Sequence, residues 1–192
     1  MKTIDINEID KKNFKCYKFA SKEKEGSHEE ASGATITESE IKHENSYYYG
    51  EVIHLDEMNN IIEDAQITEE IKPTLRLVRH GVGVMMYNVL DQNCESRYEG
   101  NWVKDKKTGL GKCYYADNSI FEGNYLNNIY EGNGCFIWPN QDKYSGEWKL
   151  GKFDGEGEFT HNDGHVLKGK FTNNYFLDVS GSIEYVNNFL FY

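Results

Sequence analysis

Tyr98-Glu-Gly100-Asn-Trp102 recurs as Phe121-Glu-Gly123-Asn-Tyr125, then as Tyr144-Ser-Gly146-Glu-Trp148 and Leu167-Lys-Gly169-Lys-Phe171, each copy 23 residues after the last. Gly109-Leu-Gly111, Gly132-Asn-Gly134 and Gly155-Glu-Gly157 keep the same 23-residue step. Two registers sharing one period define a repeat array, in which each unit is one supersecondary element stacked on the next.

Alternate side chains of an extended segment share a face, so Tyr98, Gly100 and Trp102 point one way while Glu99 and Asn101 point the other. The same parity places Gly109, Gly111, Cys113 and Tyr115 on one face. Glycine between two aromatics leaves a gap at the centre of the strand, a mark of close approach by another group; neighbouring rings are the natural candidates. Val103 to Thr108, Leu126 to Glu131 and Lys149 to Asp154 are equal in length and mostly polar, which suits hairpin loops. Ala116 to Ile120, Pro139 to Lys143 and Asn162 to Val166 carry Asn, Asp, Gly and Pro and suit the turns between units.

Aromatic-x-Gly-x-aromatic followed by Gly-x-Gly, iterated, resembles the MORN repeat (membrane occupation and recognition nexus). The resemblance covers the C-terminal half most strongly. Leu167 replaces the leading aromatic of the last copy, and Asp178 and Ser180 stand where its Gly-x-Gly belongs, so that copy reads as degenerate or capping. An earlier copy begins at Tyr48-Tyr-Gly50-Glu-Val52 and finds its partner strand only at His80-Gly81-Val-Gly83, split by an insertion of about 22 residues within Ile53 to Arg79. The insertion is acidic, with Asp56, Glu57, Glu63, Asp64, Glu69 and Glu70, and insertions in repeat proteins often carry contacts. Val89 to Arg97 forms a smaller second extension.

The expected fold is all-β: an elongated, single-layer antiparallel β-meander of about five stacked MORN hairpins over residues 47–192. A largely irregular N-terminal extension, residues 1–46, reads as extended or disordered from its Ser, Glu, Lys and Gly content. With strands about 4.8 Å apart, a hairpin advances such a sheet by roughly 10 Å, and five make a ribbon of about 50 Å. One face carries rings and glycine backbone, the other Glu99, Glu122, Glu147, Glu156 and Glu158. A single layer must cover its apolar face with its own rings, its twist or a partner. The expected protein-binding groove is therefore Tyr98, Trp102, Phe121, Tyr125, Tyr144, Trp148 and Phe171, with the rings partly open. Gly50, Gly81, Gly83, Gly100, Gly109, Gly111, Gly123, Gly132, Gly134, Gly146, Gly155, Gly157 and Gly169 are the structural repeat glycines. Val179, Gly181, Ile183 and Tyr185 alternate as a further strand, and Phe189-Leu-Phe-Tyr192 either caps the last hairpin or inserts into a neighbour.

The chain holds 14 Tyr, 10 Phe and 3 Trp in 192 residues, enough rings to pack a thin sheet. Its formal charge of -11 disfavours nucleic acid and anionic membrane, both bound through an excess of Lys and Arg. No run of 18 apolar residues occurs, which excludes a spanning helix. Met1 to Phe14 has neither an apolar signal core nor the composition of a transit peptide, so the expected location is cytoplasmic. Cys16, Cys94, Cys113 and Cys135 lack CxxC spacing and read as reduced thiols.

No catalytic residue, metal site or cofactor is expected. The Gly-x-Gly elements lack the full GxGxxG and following helix of a nucleotide loop. His161 and His165 flank the turn sequence Asn162-Asp163-Gly164, and no Cys or His cluster completes a metal site. Glu156 and Glu158 sit on an open face where nothing would separate their acidities.

The resemblance implies a non-enzymatic scaffold for protein subunits of a larger complex, since MORN arrays occur in ciliary axonemes, including radial-spoke heads, in other cytoskeletal assemblies and at membrane junctions. On it rests the expected site of action, the cytoskeleton or a ciliary axoneme. A homo-dimer is allowed. The alternatives are a membrane-associated phospholipid-binding adaptor and a regulatory module acting in trans on an enzyme.

Overall fold

Short alternating segments rich in rings and β-branched residues, cut at fixed intervals by Asn, Asp and Gly, fold as strands joined by tight turns. The computed structural model describes residues 16–20, 29–30, 45–87, 95–177 and 183–185. Its strands are β1 (Cys16–Ala20), β2 (Glu29–Glu30), β3 (Asn45–Leu55), β4 (Ile61–Ile62), β5 (Arg76–Met86), β6 (Glu95–Val103), β7 (Lys106–Tyr115), β8 (Ile120–Leu126), β9 (Ile129–Ile137), β10 (Lys143–Lys149), β11 (Lys152–Thr160), β12 (Val166–Thr172), β13 (Tyr175–Leu177) and β14 (Ile183–Tyr185). From β5 to β14 each strand pairs with the next in sequence, β3 lies beside β5, and β1 then β2 extend the far edge. All pairings are antiparallel, and the order is linear and open, a meander as expected.

Register is set by glycine. Gly50, Gly83, Gly100, Gly111, Gly123, Gly134, Gly146, Gly157 and Gly169 stand opposite one another across β3 and β5 through β12, an unbroken row. A Cβ on Gly123 would lie 2.5 Å from the Cα of Gly134 and 2.8 Å from the Asn133 carbonyl oxygen. One on Gly146 would lie 2.5 Å from the Cα of Gly157 and 2.7 Å from the Glu156 carbonyl oxygen. A ring then fills the gap: a Cβ on Gly111, Gly134 or Gly157 would collide with the ring of Tyr98, Phe121 or Tyr144.

Just past this row the register shifts between Gly50 and Val52, Gly100 and Trp102, Gly123 and Tyr125, and Gly146 and Trp148. These are β-bulges, which bend a strand and sharpen its twist. Leading tyrosines reach across the bend: Tyr48, Tyr98 and Tyr144 donate their hydroxyls to the carbonyls of Glu51, Asn101 and Glu147 at 2.9, 3.1 and 2.9 Å. Phe121 keeps the same place without a hydroxyl, so the bond reinforces a position that ring packing already sets. The first glycine of Gly-x-Gly absorbs the irregularity; Gly109 has φ +95° and Gly132 φ +74°, conformations open to glycine at little cost.

The hairpin loops are shorter than the sequence suggested. Strand pairing runs through most of Val103 to Thr108, Leu126 to Glu131 and Lys149 to Asp154, leaving two-residue turns at Lys104-Asp105, Asn127-Asn128 and Leu150-Gly151. Both residues of each turn have positive φ, as do Asn173 and Asn174 between β12 and β13, the type I′ geometry whose twist matches that of the flanking strands.

The turns also lock neighbouring units. Asp105 and Arg79, Asn128 and Lys107, and Asn174 and Phe153 each exchange two bonds: the turn residue donates its N–H to the strand carbonyl at 2.9–3.0 Å, and its side-chain oxygen accepts the strand N–H at 2.8 Å. At the Leu150-Gly151 turn, Gly151 donates to the Tyr130 carbonyl at 3.0 Å, and the Glu131 carboxylate accepts the Leu150 N–H. On the opposite edge, turn bonds within Tyr115–Ser119 and Trp138–Asp142 match the expectation for the linking segments.

Parts of the N-terminal segment and of the insertion join the sheet. Cys16–Ala20 pairs with Asn45–Tyr49, and Glu29–Glu30 pairs with β1, so these parts of residues 1–46 extend the sheet. The outer edge of β3 offers unsatisfied N–H and C=O groups, which bind any extended chain nearby. Residues 1–15, 21–28 and 31–44 lie outside the described residues, as do 88–94, 178–182 and the Phe189–Tyr192 tail. In the insertion, Ile61–Ile62 folds back onto His54 and Leu55 as β4, followed by two single 3-10 turns, Asp64–Gln66 and Lys72–Thr74. It is a folded elaboration of the β3–β5 hairpin, not a free loop.

Replacing Gly146 by Val sets a branched side chain against the backbone of Gly157. The expected cost is about 3 kcal/mol, a fall in Tm of roughly 10 °C. Thermal unfolding followed by circular dichroism measures it, with Gly164→Asn as control: a Cβ at Gly164 meets nothing within 4 Å, and asparagine tolerates its left-handed backbone at φ +93°.

Candidate functional site

Strand parity and the bulge together put three residues of each unit on the ring face. Leading rings Tyr98, Phe121 and Tyr144 lie over glycine, and third residues Trp102, Tyr125 and Trp148 stand edge-on to them at 4.9, 5.2 and 5.4 Å. Each third ring also meets the leading ring of the preceding unit: Trp102 to Tyr48 at 5.8 Å, Tyr125 to Tyr98 at 5.3 Å, Trp148 to Phe121 at 5.2 Å and Phe171 to Tyr144 at 5.1 Å. Such T-shaped pairs are worth about 0.5–1.5 kcal/mol each beyond their burial.

This interlock overturns the expected groove. Tyr98, Trp102, Phe121, Tyr125, Tyr144, Trp148 and Phe171 are each 3% exposed or less. Each leading ring is covered by the next unit's third ring on one side and by a second-strand residue on the other, and the third rings Trp102, Tyr125 and Trp148 each lie between two leading rings. They form the core of the sheet, and no row of partly open rings lies at these positions.

The second-strand residues reveal a feature the sequence reading passed over. Tyr130 stacks on Phe121 at 3.7 Å between centroids, and Phe153 stacks on Tyr144 at 3.9 Å. At the equivalent position, 23 residues before Tyr130, stands Lys107, only 4% exposed. Its ammonium sits 4.8 Å from the centre of the Tyr98 ring, 5.6 Å from Tyr87 and 5.8 Å from Tyr125, and is ion-paired with Glu95. A cation over ring faces replaces ring on ring. The substitution was visible in the 23-residue register, had the polar stretches been aligned as strands.

Beside it lies Cys113, buried on the ring face and opposite Tyr98. Loss of solvation pushes its thiol up to about 12, Glu95 adds to the rise, and the Lys107 charge only partly offsets it. Burial likewise raises the Tyr98 and Tyr87 hydroxyls. Cys135 lies on the opposite face, half-buried, and both cysteines are free thiols.

The opposite face is less solvated than the sequence suggested. Glu99 is 4% exposed and bonded to Arg97, whose guanidinium also lies over the Tyr114 ring at 4.8 Å. Lys112 stands opposite both Glu99 and Glu122 and pairs with Glu122 at 3.1 Å. Glu158 pairs with Lys168 at 3.3 Å, and Glu156 faces Lys170 across the ladder. Alternating charges on adjacent strands support register more than they dissolve the sheet. His165 bonds to Asp163 at 2.9 Å within its turn, and His161 approaches Asp142 at 3.9 Å; both serve the linking turns. Among the described residues, no helix is long and apolar enough to cross a membrane.

With rings buried and most strand-face charges in internal contacts, exposed apolar side chains gather along the edge that carries the type I′ turns. Val103, Leu126, Ile129 and Leu150 are 44%, 50%, 44% and 71% exposed, and exposed Lys104, Lys106, Lys149 and Lys152 stand among them. The β3–β5 hairpin lies on the same edge: the Lys104 ammonium donates to the Asn59 carbonyl at 3.0 Å, and Arg76 to the Asn59 side chain at 2.9 Å.

Comparison with protein families finds three consecutive MORN repeats, at residues 98–120, 121–143 and 144–166. Each matched unit runs from a leading ring through its type I′ hairpin and the following linking turn. The flanking hairpins, β3–β5 and β12–β13, lie outside the matched residues but continue the same sheet, and Gly50, Gly83 and Gly169 extend the same glycine row.

Lys107 separates two accounts of its place in the core. Lys107→Phe restores the ring found in the next two units and loses little stability, because a packed apolar group replaces a buried pair and Glu95 keeps solvent contact. Lys107→Ala leaves a hole beneath Tyr98 and is expected to cost about 2 kcal/mol. Urea unfolding of the two variants checks the order; a phenylalanine variant no more stable than the alanine one refutes the packing account. In the native protein Cys113 is also expected to resist alkylation at neutral pH and to react on unfolding, as read by mass spectrometry.

Proposed function

We propose that this MORN-repeat chain is a non-enzymatic scaffold that joins protein subunits of a larger assembly, and that it meets them through its turn edge. One observation carries the reading: the repeat spends its rings and most of its strand-face charges on internal contacts, and leaves Val103, Leu126, Ile129 and Leu150 exposed in neighbouring units. Apolar side chains held on rigid elements and rimmed by charge are the ordinary makings of a protein interface. Regular spacing across stacked units suits an elongated partner surface.

The assembly we propose is cytoskeletal, with a ciliary axoneme as the specific case. It rests on the resemblance to MORN arrays of such assemblies, which is an argument by analogy. The lysines of the turn edge give a lipid-binding adaptor some footing, since basic and apolar side chains together suit an anionic membrane surface. The six carboxylates of the insertion, on the same edge, oppose it.

The test is fractionation of the tagged full chain from ciliated cells, compared with a Leu126→Asp, Ile129→Asp variant checked for folding by circular dichroism. The wild-type chain is expected in the detergent-insoluble cytoskeletal fraction, and the variant's recovery there to fall about tenfold. Wild-type protein found only in the soluble fraction, or bound to anionic vesicles with the variant unbound, overturns the proposal.

A further inference from the structure

The turn edge is not uniform in charge. Residues 56–74 project from it at the β3 end with Asp56, Glu57, Glu63, Asp64, Glu69 and Glu70 against a single cation, Lys72. Five of these carboxylates belong to exposed residues, and Met58 and Ile61 beside them are 82% and 47% exposed. Further along, the turns at 104–105, 127–128 and 150–151 carry Lys104, Lys106, Lys149 and Lys152; of the carboxylates at these turns, Asp105 is bonded to Arg79 at 2.9 Å and Glu131 accepts the Leu150 N–H at 3.0 Å. The edge is acidic and apolar at the insertion, and basic and apolar at the three turns that follow it.

We infer that this edge pairs with the same edge of a second copy of the chain, related by a two-fold axis between the 104–105 and 127–128 turns. The inference deepens the scaffold reading and rests on it. Successive hairpins stand roughly 10 Å apart along the edge, so the insertion and the turns at 104–105, 127–128 and 150–151 fall at four nearly even steps, with the Asn173-Asn174 turn a fifth step beyond them. A two-fold through the midpoint of the first four sets the insertion of each copy against the 150–151 turn of the other and the two middle turns against each other, and it leaves the 173–174 turn past the end of the partner's insertion.

The chemistry matches at every step. Glu63, Glu69 and Glu70 meet Lys149 and Lys152, Met58 and Ile61 meet Leu150, and at the centre Val103 meets Leu126 and Ile129. Any contact so formed occurs twice, as in every isologous interface. Opposite charges at both ends fix the register, and they disfavour the parallel arrangement, in which like ends would face each other. An unrelated acidic partner would satisfy the lysines; only a second copy also satisfies the insertion.

Charge reversal tests this, read by sedimentation velocity of the full chain over a range of concentrations. One variant carries Lys149→Glu and Lys152→Glu, the other Glu69→Lys and Glu70→Lys. All four positions are exposed, and the pair Glu69 with Lys72 is a surface contact at 3.4 Å within the insertion, so both variants are expected to fold, checked by circular dichroism.

Wild-type chain is expected to dimerise, with raised salt weakening the dimer. Each variant alone should show a dimer Kd at least about tenfold higher, and the equimolar mixture should regain wild-type association, because each acidic patch again meets a basic one. A wild-type chain that stays monomeric, or a mixture no tighter than its components, overturns the inference. If the wild-type is monomeric yet Leu126→Asp, Ile129→Asp still releases the chain from the cytoskeletal fraction, the scaffold reading stands and the second copy is not its partner. If that variant also changes nothing, the scaffold reading falls with it.

Discussion

Everything in this sheet depends on two backbones approaching so closely that neither can carry a Cβ. At Gly100 and Gly111, as at Gly146 and Gly157, a Cβ on the first glycine would stand 2.5 Å from the other's Cα. The gap lets Tyr98 or Tyr144 lie flat across both strands and reach a backbone carbonyl beyond the bulge. Glycine within a strand costs roughly 0.5–1 kcal/mol in chain entropy. A fully buried ring in its place offsets more than that, since aromatics dominate core energetics. Thus a sheet without a second layer still has a core: its rings lie along it rather than projecting from it.

The same geometry explains why the rings are not the partner surface. A ring standing upright on a single-layer sheet would be half open to solvent, and parity alone suggests that picture. A ring laid over glycine is covered by the third ring of the following unit, as Tyr98 is by Tyr125 and Phe121 by Trp148. Burial is a property of the row, so no unit completes its core alone, as repeat architectures require. Lys107 shows how much polarity the row accepts: one cation, held by Glu95 and three rings, where other units stack a fourth ring.

The period, the glycine positions, the strand faces and the antiparallel meander were all legible in the sequence, because each follows from spacing and parity at residues such as Tyr98, Gly100 and Gly111. Three things were not. The type I′ turns at Lys104-Asp105 and Leu150-Gly151 lack the Asn-Gly signal, and their place is set by pairing on both sides. The fate of Trp102 and Trp148 depends on the bulge after Gly100 and Gly146, which turns the strand by an amount that no alternation pattern encodes. The pairing of Cys16–Ala20 with β3 comes from a free sheet edge, a property of the assembled array and not of residues 16–20.

The turn edge is where the repeat has freedom left. Within each unit the second turn residue is committed, since Asp105, Asn128, Gly151 and Asn174 all bond to the preceding hairpin. The residues around it carry no such duty: position 103 is Val, its equivalent 126 is Leu and 149 is Lys, while 106, 129 and 152 are Lys, Ile and Lys. Positions that vary from unit to unit inside a strict repeat are the ones on which the core places no demand. The array therefore separates its tasks by position: glycines and rings hold the sheet, turn amides lock the units in order, and the remaining edge residues are free to spell a sequence of apolar and charged contacts. A partner that reads the chain along this edge reads different side chains at each hairpin, at a spacing the glycine row keeps constant.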